Sequence, residues 1–138
     1  MQSTSKFVFS PSQAALGCVF GGPLAAAYFI RHNFKALGQE QAVRKTVNIG
    51  SFIVIVVICM MPLLPKEFPS ILLNLPAVIF ARYFIENKQF TKQQIEDDQT
   101  LVFQSVNKVV GVSVICLCIS LALVFALALF LAFSAGAA

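Results

Sequence analysis

Charge is scarce in this chain. Only 12% of its 138 residues are Asp, Glu, Lys or Arg, and 58% are hydrophobic. A soluble domain carries about twice that share of charge. Water would meet large apolar patches on such a chain. A soluble helical core is therefore set aside in favour of a membrane protein, because several apolar runs approach bilayer length. Histidine is scarcer still, with His32 alone. It stands beside Arg31 with no second histidine, nearby cysteine or carboxylate at a helical spacing. A surface or headgroup contact fits it better than a role as ligand or base. No phosphate-binding glycine loop occurs. No carboxylate falls near the middle of an apolar run, which weighs against proton- or ion-coupled transport. Basic residues are not interleaved with aromatics in a stripe, so no nucleic-acid partner is expected. The chain is read as no enzyme, with no catalytic residue, cofactor or metal site.

The four cysteines, Cys18, Cys59, Cys116 and Cys118, all lie inside apolar runs. Cys116 and Cys118 are two apart and diverge on a helix, so buried free thiols are expected. Glu96, Asp97 and Asp98 also diverge on a helix and suit a solvated helix start better than a cation site.

Along the chain, Ser10-Pro11-Ser12-Gln13 signals a helix start. The apolar run that follows is interrupted by Gly22 and Pro23. Gly17 and Gly21 form a G-x-x-x-G pair suited to close helix packing, as do Ala122 and Ala126 further on. Leu24-Ala25-Ala26-Ala27 looks like a leader cleavage site. The preceding region carries only Lys6, however, and the basic residues follow the run, so a retained span is expected. Gly38 suits a helix stop. A β-branched run precedes Pro62 and Pro65, and the Lys66-Glu67 turn is short enough to make the second and third spans antiparallel neighbours. Pro76 is expected to interrupt the third span as Pro23 interrupts the first, with Arg82 snorkelling to the surface. Thr91 and Gln94 form a second capping box, which predicts a fourth helix from Lys92 to about Phe133. Its apolar part, 109–133, holds 16 Leu, Ile, Val or Phe residues, each favouring insertion by about 0.3–0.6 kcal/mol near the bilayer centre. Polar residues in the apolar runs include Asn48, Ser70 and Asn74.

These signals predict an all-α, polytopic membrane protein. It is an antiparallel four-transmembrane-helix bundle built as two helical hairpins in a single membrane domain, 1–138. The spans are about 13–31, 47–64, 68–85 and 109–133. The connectors, 31–46 and 86–108, are cytoplasmic, and helices extend into the cytoplasm there. Lys6 and Lys66 fall on one side, and the other eight lysines and arginines on the opposite side. The positive-inside rule puts the eight in the cytoplasm and both termini in the periplasm. Tyr28 and Tyr83 each begin a Tyr-Phe-Ile and, with Arg31 and Arg82, are expected as interface anchors. The match suggests two parallel hairpins.

The runs Phe9-Ser10-Pro11-Ser12-Gln13, Gly21-Gly22-Pro23-Leu24-Ala25 and Asn33-Phe34-Lys35-Ala36-Leu37-Gly38 resemble short uncharacterised bacterial inner-membrane proteins. Those share a Gly-x-Pro-Leu-Ala stretch followed by Asn-aromatic-x-x-Leu-Gly. The resemblance covers about the first 40 residues and implies an inner-membrane location and a fold, not a chemistry. The sequence thus favours a non-enzymatic interaction protein. It would be an accessory subunit of a membrane complex, or a protector (immunity) protein against a membrane-targeted toxin. Its partners are the lipid bilayer and another membrane protein or its own copies. The alternative is a small homo-oligomeric channel or carrier using the broken spans with Asn48 and Asn74.

Overall fold

Ser10 opens the first helix. Its hydroxyl accepts from the Gln13 amide (3.2 Å), and the Gln13 side chain accepts from the Ser10 N–H (3.0 Å), a reciprocal cap that satisfies two orphan donors. The computed structural model describes residues 5–69 and 71–136; Ser70 lies outside the described residues. Helix α1 spans Pro11–Ala36 and leaves helical geometry at one residue, Gly22, with φ 59° and ψ −150°. A Cβ disfavours that conformation, whereas glycine adopts it freely. Pro23 follows and has no N–H to offer the Val19 carbonyl four residues back. Together the two residues fold the chain back on itself.

The return is visible in what touches what. As a straight helix, residues 11–33 would cover about 33 Å. Instead Asn33 exchanges two hydrogen bonds with the Phe9 backbone, both 2.8 Å, and the Phe9 and Phe29 rings lie 4.7 Å apart. Residues 11–21 form an outgoing leg of about 16 Å, and residues 23–36 form the return leg. Gly38, at φ 73°, then closes α1. Gln39 N–H donates to the Phe34 carbonyl (3.0 Å) and Gly38 N–H to the Lys35 carbonyl (3.1 Å), the paired bonds of a glycine-terminated helix. Helix α2, Glu40–Met60, starts at once and runs into a 3-10 turn, Met61–Leu63. Helix α3 is Ile71–Lys88 and α4 is Lys92–Asp97. Strand β1, Lys6–Val8, pairs in parallel with β2, Leu101–Phe103, and α5 is Val106–Gly136.

Of the described residues, 80% are helical. Among the described residues, three helices are long and apolar enough by length and composition to cross a membrane: α1, whose length is shared between its two legs, α2 with its 3-10 turn (Glu40–Leu63), and α5. Helix α3 is shorter and carries Arg82, Glu86 and Lys88. The folded-back α1 is the hub. Helices α3, α5 and α2 each pack on it, α3 most extensively. The core lies at these interfaces and includes Phe9, Cys18, Phe29, Ala81, Ile85 and Val109.

Several expectations change. Helices α2 and α3 are not packed neighbours; each leans on α1, and a groove separates them. Pro76 sits inside a continuous helix, because no adjacent glycine supplies a positive φ and the missing bond falls within two turns of the helix start. The helix from Lys92 does not continue to Phe133. It stops at Asp97, Asp98 Oδ1 accepts from Thr100 N–H (2.8 Å) and Thr100 Oγ1 (2.7 Å), and the next residues join β1. Because β1 pairs with β2 just before α5, the N-terminal segment lies at the same end of the molecule as the connectors. The first and last described residues, 5 and 136, are therefore at opposite ends of the molecule. Lys6 moves with β1, so nine of the ten lysines and arginines gather at one end and Lys66 alone lies at the other.

Gly22→Ala is expected to cost about 1–3 kcal/mol, the range for a non-glycine held in a sparsely populated backbone region. Its Cβ would also stand 2.7 Å from Asn74 Oδ1. Gly111, with nothing within 4 Å of a built Cβ, should gain up to about 1 kcal/mol on Gly111→Ala. Thermal unfolding in detergent micelles checks both. Equal melting temperatures for the two variants contradict the turn assignment.

Candidate functional site: the folded-back turn and the groove beside it

The turn is the most constrained point of the fold. Asn74, from α3, sends its Nδ2–H to the Val19 carbonyl (3.0 Å), the acceptor that Pro23 leaves without a partner. Gly17 and Gly21 seat the outgoing leg. A Cβ on Gly17 would meet the Phe29 ring and lie 2.9 Å from Ser113 Oγ; one on Gly21 would lie 3.2 Å from the Cys116 Cβ. The glycine pair therefore packs against α5 and against the return leg of its own helix. Ser113 closes its own hydroxyl on the Val109 carbonyl (2.7 Å). A small cavity of about 180 Å³ lies at the turn, with Gly22, Pro23, Asn74, Val57 and Ser120 among its walls.

A second cluster clasps the open end of the hairpin. Besides its two bonds to Phe9, Asn33 Nδ2 donates to Gln89 Oε1 (2.9 Å), and Gln89 Nε2 donates to the Ile30 carbonyl (2.9 Å). Gln13 Nε2 donates to the Gln104 carbonyl (2.7 Å), and Gln104 N–H donates to the Val8 carbonyl (2.9 Å). These amides tie β1, both legs of α1, the end of α3 and the segment after β2 into one network. Among the described residues, no buried side-chain polar atom lacks a partner. His32 Nε2 lies 3.2 Å from the Phe7 carbonyl and stacks on Tyr28 at 6.1 Å.

The third feature is the groove between α2 and α3, floored by the return leg. It encloses about 610 Å³ and is apolar along Ala27, Ile49, Ile53, Ala77 and Phe80, with Lys45 at its mouth.

The remaining sequence candidates fall apart spatially. Ala122 and Ala126 are exposed on α5. Tyr28 is half-buried, while Arg31, Arg82 and Tyr83 are exposed at the cationic end. Asn48 is exposed, and Asn74 is spent on Val19, so the two asparagines do not converge. Cys18 and Cys116 are buried and Cys59 and Cys118 exposed, all as free thiols. Among the described residues, no three His, Cys, Asp or Glu side chains gather. Of the acidic triplet, Glu96 pairs with Lys92 at 3.4 Å. The side-chain and backbone hydrogen bonds from Thr100 hold the Asp98 carboxyl below the usual carboxylate range. Gln89 and the groove were not singled out from sequence, and Asn33 entered only as the start of the Asn-aromatic-x-x-Leu-Gly run, with no role given. Each amide lies in the polar stretch after an apolar run, Asn33 behind Arg31-His32 and Gln89 behind Glu86-Asn87-Lys88, where it reads as an ordinary solvated residue.

Asn33→Ala would leave the Phe9 N–H and carbonyl and the Gln89 side chain short of partners; Asn74→Leu would strand only the Val19 carbonyl. At about 1–3 kcal/mol for each buried group left unpaired, the Asn33 variant should melt lower than the Asn74 variant. It should also lose hydrogen-exchange protection at the Phe9 amide. The reverse order of melting would contradict the clasp. No family model, curated protein or solved structure matches the chain, so geometry and sequence alone support the function proposed below.

Proposed function

We propose that this chain is a non-enzymatic integral membrane protein that binds another membrane protein inside the bilayer. It would act as an accessory subunit of a complex or as a protector against a membrane-targeted toxin. In this reading all four long helices belong to the membrane domain, but α1 is a re-entrant hairpin. It enters from the cationic end and returns there, while α2, α3 and α5 cross. Non-straight backbone is tolerated at membrane depth when protein covers it, and α3 and α5 cover the Gly22 turn. With nine of ten cations at one end, the positive-inside rule puts that end, with the N-terminal strand, in the cytoplasm. The end of α5 is then periplasmic. The likeness of the first 40 residues to bacterial inner-membrane proteins supports that location.

The observation that carries the reading is the far part of α5. No residue from 117 to 136 is buried, and the stretch is apolar on every side. A helix apolar all round has lipid or another helix for its surroundings. The pairs Ala122/Ala126 and Ala128/Ala132 allow a neighbouring backbone to approach closely. The channel or carrier alternative draws less support, because α3 is unbroken, Asn48 is exposed and Asn74 is committed to Val19.

Affinity isolation in a mild detergent tests this. The wild-type chain should bring down a defined membrane protein, or its own copies, and Ala122→Leu with Ala126→Leu should reduce recovery several-fold. Isolation as a lone monomer, with or without those changes, contradicts it. Steady solute flux through liposomes holding only this protein would favour the channel instead.

A further inference from the structure

We propose that the groove between α2 and α3 holds an anionic phospholipid, with its phosphate at Lys45 and its acyl chain along Ile49, Ile53, Ala77 and Phe80. The inference rests on the membrane reading above but not on the identity of any protein partner.

Three observations select this occupant. The groove lies open between α2 and α3, which pack far more on α1 than on each other. Its lining is apolar apart from its mouth, where Lys45 is the sole charged residue and Thr46 stands beside it. The Thr46 hydroxyl already donates to the Ala42 carbonyl (2.8 Å), which leaves Lys45 as the cation for an incoming phosphate. Among the described residues, Lys45 has no carboxylate within ion-pair distance. A lipid with no net charge brings no net counter-charge to that ammonium. An anionic headgroup supplies one, and basic pockets between membrane helices on the cytoplasmic side hold such headgroups.

Size argues the same way. From Lys45 to Val57 the groove follows α2 for about 18 Å at 1.5 Å per residue. The groove encloses about 610 Å³, within the usual range for small-molecule sites. The lipid would also shield Ala27 and the return leg, joining α2 to α3 where the protein itself leaves them apart.

Native mass spectrometry of the detergent-purified full chain tests this. Phosphatidylglycerol and phosphatidylcholine with matched acyl chains serve as the probes. Wild type should prefer phosphatidylglycerol by about fivefold, the ratio expected from one lysine beside an anionic headgroup. Lys45→Glu should abolish the preference. Arg44→Glu, on the same helix but outside the groove, and Lys66→Glu, at the opposite end, should keep it. Ala77→Phe, which fills the groove, should lower binding of both lipids. Equal binding of the two lipids by wild type overturns the proposal. So does an Arg44→Glu effect as large as that of Lys45→Glu, which would assign the preference to diffuse charge. Cross-linking that finds a second protein seated between α2 and α3 overturns it as well. A chain that stays soluble without detergent defeats the membrane reading itself. A membrane-embedded chain with no lipid preference defeats only this site.

Discussion

The Val19 carbonyl governs this fold. Pro23 has no hydrogen to give it, and losing the donor to this part-buried carbonyl costs about 0.5–1.5 kcal/mol, the net worth of one hydrogen bond. In ordinary helices such a loss produces a kink that water or a neighbouring side chain repairs. Here Gly22 takes a positive φ, the chain reverses, and Asn74 supplies the absent donor from another helix. One side-chain amide thus fixes the depth of the turn and the register of α3 against α1. The glycines at 17 and 21 then have to be glycines, because the returning Phe29 and the α5 backbone occupy the space a side chain would need.

The reversal makes α1 the hub. A straight first helix would offer one stripe to one or two neighbours. A doubled helix offers two legs, and α3, α5 and α2 distribute themselves around them. It also brings the two ends of α1 together at the cationic end, where the Asn33 clasp holds them. The short parallel pair of β1 and β2 follows from that, since β1 leads directly into the outgoing leg and β2 leads into α5. The charge asymmetry sharpens for the same reason. Membrane insertion would read nine cations against one, and α1 would contribute no net crossing.

Much of this was legible in residues with strictly local roles. Both capping boxes, the Gly38 stop, the apolar runs and the break at Gly22-Pro23 follow from properties of single residues and their immediate neighbours. What sequence did not reveal was the size of the break. A proline inside an apolar run reads the same at 23 and at 76, yet only Pro23 follows a glycine able to take the reversed conformation. Reading both simply as interruptions made α1 one long helix and gave no sign that its two ends meet. The three-residue strand β2 escaped notice because Leu101-Val102-Phe103 is too short to show a period. It exists only because β1, more than ninety positions earlier in sequence, lies beside it. Asn74 was seen as a polar residue in lipid, but its purpose depends on Val19, and that pairing is a fact of the folded state.

The central claim is that α1 returns to the end from which it starts. Spin labels at Ser12 and Lys35, in a background freed of the four native cysteines, measure this directly by pulsed electron resonance in detergent or bilayer. Packed helix axes lie about 8–10 Å apart, so a folded-back pair should give a distance near 20 Å or less. A distance near 35 Å, the span of a straight helix between those positions, would contradict the account.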